Sequence, residues 1–295
     1  MEALQERAQQ EQDDGMLLYT TLSAVLERAY KSGTAPKRVV LQKCDPGGAN
    51  CTKVKQDGIE VLIKSGKVYI FNQGILNNEE EALTNAAQQA SDEQNAQGVY
   101  VIINPYTGDV VSELLYAGWD KLNELLGGVL PISNASQANL DIRNLIAKTN
   151  AQRAEQGLAP VVIDEINHSR GSLTSSNATA QQRNNQQINV PLNSVTFNGA
   201  AANAQNMANM VDQVTSGKGI VQQSTHVDDW IGNVIGNNPS TGGVDGTGIG
   251  SHSSYRGNQQ LNPTNSQHQE KIDRDNKFWG NDSKSEPVVV IPESK

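Results

Sequence analysis

The residues best able to do chemistry in this chain are one serine in a particular setting, four histidines and a pair of adjacent aspartates. The run 161–166 (Val-Val-Ile-Asp-Glu-Ile) has the character of a buried strand. It passes directly into Asn167-His168-Ser169-Arg170-Gly171, after which the pattern turns helical. A serine between a strand end and a helix start can act as a nucleophile, because a sharp turn there projects its oxygen clear of the sheet edge. Small residues two before and two after let strand and helix approach. The backbone N–H of the next residue, Arg170, would sit at a helix N-terminus, where oxyanion charge is stabilised. Gly171 fits that general form, Gly-x-Ser-x-Gly. Asn167 departs from it, being bulkier than glycine though tolerant of unusual backbone angles. The plainer reading of Ser169 is a helix cap.

A serine nucleophile needs a base and an acid, and on a strand–helix scaffold of this kind they follow it in the order Ser…Asp…His. The histidines are His168, His226, His252 and His268. After a strand expected at 219–223 comes Ser-Thr-His226-Val-Asp228-Asp229-Trp-Ile-Gly232, then a glycine-rich loop ending in Gly250-Ser-His252-Ser-Ser-Tyr255. His252 is the histidine placed to take the Ser169 proton and return it to the leaving group. Asp228 is the preferred acid, with Asp229 beside it as the other choice. A turn or cap before Trp230 is the plain reading of both, and a solvated loop residue that of His252. A second oxyanion donor should follow an early strand. The run 67–75 has that form and offers the N–H of Gly74 or Ile75, with Asn72 and Asn77 to order the loop; a plain strand exit is the alternative.

The elements that must position these residues alternate. Helices are expected near 15–32 (apolar positions Leu17, Leu18, Leu22, Val25, Leu26 and Tyr30), 79–89, 110–125, 133–156 and 200–214. Strands are expected at 38–42, 59–64, 67–72, 99–103, 161–166, 194–197 and 219–223, with Ser65-Gly66 as a two-residue hairpin turn. Strands separated by helices of ten or more residues predict an α/β fold, a mostly parallel sheet covered by helices on both faces, with an antiparallel N-terminal hairpin. Three parts follow: a helical segment 1–36, an α/β domain 37–255, and a polar extended tail 256–295. Leu114, Leu115, Leu125, Leu126, Val129 and Leu130 read as core packing of an amphipathic helix, or else as the lining of an acyl site.

Composition narrows the classes. The chain has 295 residues (31.8 kDa) and a formal charge of -9, which disfavours nucleic-acid binding and with it a nuclease toxin. Its 30 asparagines and 26 glutamines predict loose polar loops or tails. Met1-Glu2, with Gln5 and Glu6, does not read as a secretory leader, and 15–26 is too short for a membrane span. Two cysteines, Cys44 and Cys51, flank a turn-like loop that a disulfide could close; two free thiols are the equal alternative.

Residues 167–171, the Asp228-Asp229 loop and Ser251-His252-Ser-Ser-Tyr255 together resemble an α/β-hydrolase of the lipase or esterase kind, over about 39–255. Separately, 68–80, Asn104-Pro-Tyr-Thr-Gly108 and 167–174 resemble C-terminal regions of filamentous-haemagglutinin-type exoproteins of two-partner secretion and contact-dependent inhibition systems. The resemblances imply a secreted or cell-surface effector domain of a larger exoprotein, delivered into a target cell. They imply a serine hydrolase without cofactor, acting on an ester or lipid at a membrane surface, and a cognate immunity protein. Two other readings stand beside this one. His226, Asp228 and Asp229, completed by His252 or His168, could hold a hydrolytic metal. A non-catalytic interaction module of an adhesin is the other.

Overall fold

The computed structural model of the protein describes residues 39–44, 51–54, 66–75, 82, 86, 99–102, 104, 110–242, 252, 255 and 287–293. The apolar runs become strands β1 (Val39–Cys44), β2 (Cys51–Val54), β3 (Lys67–Asn72), β4 (Val99–Ile102), β5 (Val162–His168), β6 (Leu192–Asn198), β7 (Ile220–Ser224) and β8 (Val288–Val290). The helices are α1 (Val110–Leu125), α2 (Asn134–Glu155), α3 (Arg170–Asn184) and α4 (Ala204–Thr215). The strands form one sheet in the order β2-β1-β4-β3-β5-β6-β7-β8. The five from β4 to β7 are parallel; β1, β2 and β8 pair antiparallel at the two edges. The class is therefore α/β with a mostly parallel mixed sheet.

Local chemistry sets the helix limits. Ser133 caps α2, its hydroxyl accepting from the Ser136 N–H, and Asn203 caps α4 through the Asn206 N–H. Alternation along β3 and β5 splits the core. Val68, Ile70 and Ile163 face α2, α3 and α4, packing with Ile142, Ile146, Leu173, Met207 and Val211; burying each large side chain contributes about 1.5–3 kcal/mol. Tyr69, Phe71, Val101 and Ile166 face the other way, where Ala82 and Ala86 cover them within the expected helix 79–89.

Several expectations are corrected. β3 lies between β4 and β5, so it has no free edge to form a hairpin with 59–64, which lie outside the described residues. The antiparallel pair near the start is instead β1–β2, whose register sets Cys44 opposite Cys51. The tail does more than wrap the surface: β8 pairs with β7. Leu114, Leu115, Leu125, Leu126 and Val129 are exposed and pack in no core. The polar composition is only partly loop: Asn72, Asn123, Asn139, Asn167, Asn177 and Gln182 are buried. The expected helical segment near 15–32 lies outside the described residues.

Parallel strands end at one edge. Gln73-Gly74 after β3, Ser169 after β5, Gly199 after β6 and Thr225–Asp229 after β7 all emerge there. The chain steps outward from β3 to β4 and returns to β5, so the crevice of a doubly wound sheet lies above β3 and β5.

Candidate active site

Ser169 is the backbone outlier of this edge. Its φ is 54° and ψ −124°, a conformation that costs a residue with a Cβ about 1–3 kcal/mol. Neighbours hold it there. Its N–H donates to the Asn198 carbonyl at 3.2 Å, and its carbonyl accepts from the Ser172 hydroxyl at 2.6 Å, the Ser172 N–H at 3.1 Å and the Ala201 N–H at 3.3 Å. The hydroxyl makes no capping bond to α3, so the plain helix-cap reading of Ser169 does not hold. The turn requires Gly171: a Cβ there would lie 1.9 Å from the Asn72 carbonyl oxygen.

Asn167, the departure from a small residue, is accommodated because it ends on the polar side of β5. Its side chain accepts from Asn72 Nδ2 at 2.6 Å and donates to the Thr196 carbonyl at 3.3 Å; Asn72 in turn accepts from Asn139 of α2 at 3.1 Å. Three linked amides fill the space that a glycine would leave open.

The structure brings His252 together with Asp229 and not with Asp228. His252 Nδ1 lies 2.9 Å and 3.0 Å from the two Asp229 oxygens. A carboxylate only accepts, so Nδ1 carries the proton and Nε2 is left as the basic nitrogen. Asp229 is wholly buried, while Asp228 is exposed, which corrects the preference for Asp228. The physical reason is the turn itself: the Asp229 N–H bonds back to the His226 carbonyl, and its carboxylate takes the Gly232 N–H at 3.1 Å.

Tyr255, three residues after His252, is the site residue that the sequence reading did not single out. Its hydroxyl donates to Asp229 Oδ2 at 2.5 Å and accepts from the His226 N–H at 2.7 Å. The signal for it was an aromatic residue closing a glycine-rich loop, three positions after the candidate base. Burial pushes the Asp229 carboxyl up. Hydrogen bonding to His252 and its charge, with the bonds from Tyr255 and Gly232, outweigh that and hold it below the usual carboxylate value. Burial, then the Asp229 charge, raises Tyr255 well above an ordinary phenol. Gly199, at φ 54°, forms the floor: a Cβ there would meet Tyr255 at 2.4 Å, Asp229 at 2.6 Å and His252 at 3.0 Å. Since its neighbour Asn198 accepts the Ser169 N–H, one short stretch of backbone links serine and histidine sides.

A depressed carboxylate stabilises the fold above its unfolded value of about 3.9 and ceases to do so as pH falls through its lower folded value. The expected result is that the melting temperature of the native chain falls more steeply between about pH 5 and pH 3 than that of Asp229→Asn, narrowing the gap between them. A gap constant across that window would show that this carboxylate carries no such linkage.

Of the oxyanion candidates, Gly74 passes directly over the serine, where a Cβ would be 2.9 Å from Ser169 Cβ and 3.2 Å from His168 Nδ1. Ile75 follows, half-buried. Arg170 opens α3, its guanidinium drawn away to Asp120 at 2.8 Å, which leaves its backbone N–H in the first turn. His168 holds the histidine loop: Nε2 lies 2.9 Å from the His252 carbonyl and the rings stack at 5.0 Å.

His226, Asp228 and Asp229 are not brought together as ligands. The His226 ring packs on Tyr255 at 4.2 Å, Asp228 points to solvent, and no group of three or more metal-ligating side chains occurs among the described residues. Among them, too, no helix is long and apolar enough to cross a membrane. No family model, no curated protein and no solved structure matches this chain.

Proposed function

We propose that the protein is a serine hydrolase of α/β-hydrolase type, cleaving a carboxylic ester with Ser169 as nucleophile, His252 as general base and Asp229 as its orienting acid. The observation that carries this reading is Ser169 itself: a strained junction residue, pinned by four backbone contacts, whose hydroxyl is not used to cap its helix. The sheet order, with the serine above the β3–β5 crevice, and the bond of half-buried His252 to buried Asp229 support it.

In this reading Ser169 Oγ attacks the ester carbonyl while His252 Nε2 takes its proton. The carbonyl oxygen becomes an oxyanion facing the Arg170 N–H and the Gly74-Ile75 backbone. His252, now cationic, is stabilised by the buried Asp229 and returns the proton to the departing alcohol. Water repeats the sequence on the acyl-enzyme. A lipid ester, delivery as an effector domain of an exoprotein and a matching immunity protein are proposals that rest on the sequence resemblances.

Folded protein exposed to a fluorophosphonate probe should carry one adduct, mapped by mass spectrometry to Ser169. The adduct should be absent in Ser169→Ala and weakened in His252→Ala. Folded native protein that takes no adduct would overturn the triad and favour the non-catalytic module.

A further inference from the structure

Three donors converge on the Asp229 carboxylate. His252 Nδ1 lies 2.9 Å from Oδ1 and 3.0 Å from Oδ2, the Gly232 N–H meets Oδ1 at 3.1 Å, and the Tyr255 hydroxyl meets Oδ2 at 2.5 Å. The last two hold the acid from either side of the imidazole. One is a backbone N–H a turn further on; the other is a phenol whose ring is buried.

The direction of the phenol's proton is settled by its second partner. The His226 N–H, 2.7 Å from the same oxygen, can only donate, so Tyr255 accepts there and gives its own hydrogen to Asp229. One hydroxyl therefore spans the turn 226–229, holding the N–H at its start and the carboxylate at its end. That span brings Asp229, and not Asp228, under His252 with both oxygens facing Nδ1.

Packing alone asks for none of this. The Tyr255 ring lies 4.2 Å from the His226 ring and edge-on to the His252 ring at 6.4 Å, contacts that a phenylalanine would also make. Gly199 gives the three side chains room, since a Cβ there would strike Tyr255, Asp229 and His252 together. The hydroxyl is the part that reaches the acid. A hydrogen bond to a carboxylate spreads its charge, so a strong donor on Oδ2 limits how far Asp229 can raise the basicity of His252. Among the described residues, the other titratable groups of this cluster are His168, stacked on the His252 ring at 5.0 Å, His226 against Tyr255, and Asp228, which faces solvent.

We propose that Tyr255 is a positioning residue, holding Asp229 against His252 and weakening the hold of that carboxylate on the imidazolium. The role rests on the hydrolase reading, in which His252 must be unprotonated to accept from Ser169.

The test uses the full chain and two readouts. One is the pH profile of Ser169 labelling by a fluorophosphonate. The other is the titration of the His252 ring, followed by NMR on protein with isotopically labelled histidine and assigned by its loss in His252→Ala. In Tyr255→Phe the acid limb of labelling and the ring titration should both move to higher pH by about half to one unit, a fraction of a hydrogen bond to a charged group. Labelling should recover to near the native rate at alkaline pH. Tyr255 replaced by a ring-difluorinated tyrosine, a stronger donor of the same shape, should move both readouts the other way, and it decides the matter if Tyr255→Phe does not fold. An unmoved titration in a folded variant, or labelling reduced equally at every pH, would overturn the role of Tyr255. Native protein that takes no label at any pH would sink the hydrolase reading instead, and the ring titration would still show whether Tyr255 acts on His252 through Asp229.

Discussion

Replacing Asp229 by asparagine should lower the rate of labelling by a fluorophosphonate, and kcat on a p-nitrophenyl ester, by roughly 10³–10⁴-fold, a loss of the size seen when a triad acid is neutralised without moving it. The same replacement at Asp228 should leave both within about twofold, as for surface substitutions generally. The two residues are neighbours in sequence and identical in type, so the contrast isolates geometry. Only Asp229 lies against His252 Nδ1, and only Asp229 is buried. An amide there would present an N–H or a weak acceptor to the imidazole and favour the tautomer whose Nε2 already carries a proton. Such an imidazole cannot accept the Ser169 proton. Tyr255 and the Gly232 N–H should keep the loop folded, so the variant should retain its near-ultraviolet circular dichroism. Equal damage from both variants would remove Asp229 from its role.

The largest expected loss of stability lies elsewhere, at Arg143. This side chain is wholly buried in α2 and every donor is used. Nε and Nη2 hold the Glu165 carboxylate at 2.7 and 2.8 Å, Nη1 donates to Thr179 and Gln182 at 2.8 and 2.9 Å, and Nη2 also reaches Ser175 at 2.9 Å. Arg143→Met leaves Glu165 as an unpaired buried charge on the strand that carries Ser169 and should cost about 3–5 kcal/mol in urea unfolding at neutral pH. Arg143→Met combined with Glu165→Leu should recover most of that loss, because the desolvation of both charges disappears with them. A double variant no more stable than the single one would show that Thr179, Gln182 and Ser175 depend on the arginine for their own satisfaction.

How far the sequence was legible follows from which interactions are local. Helices α1 and α2 and strands β4 and β5 match their expected spans within two residues, because periodicity and end signals such as Ser133 and Gly127-Gly128 act over a few positions. The junction at Ser169, where β5 passes into α3, was readable for the same reason. The choice between Asp228 and Asp229 was not, since one residue of loop register decides it, and beside the local Gly232 N–H that register is held by His252 and Tyr255, 23 and 26 residues along the chain. The expected hairpin at 65–66 failed because the partners of β3 come from β4 and β5, far along the chain. Composition misled in part: amides expected in loops form the buried contacts of Asn72, Asn139 and Asn167.

That amide-rich interior has a thermal consequence. Exposing apolar surface on unfolding raises the heat capacity by about 0.45 cal/mol/K per Å², whereas exposing polar surface lowers it by about 0.26. Helix α3 is buried nearly all round, largely through hydroxyl and amide side chains (Ser172, Thr174, Ser175, Ser176, Asn177, Thr179 and Gln182); Asn177 meets the polar inner face of α1, and Ser175, Thr179 and Gln182 meet Arg143 of α2. The layer between these helices therefore adds little to the heat-capacity increment that curves the stability of an aliphatic core. Stability held by such a layer varies gently with temperature, strengthening less at its optimum and fading less in the cold.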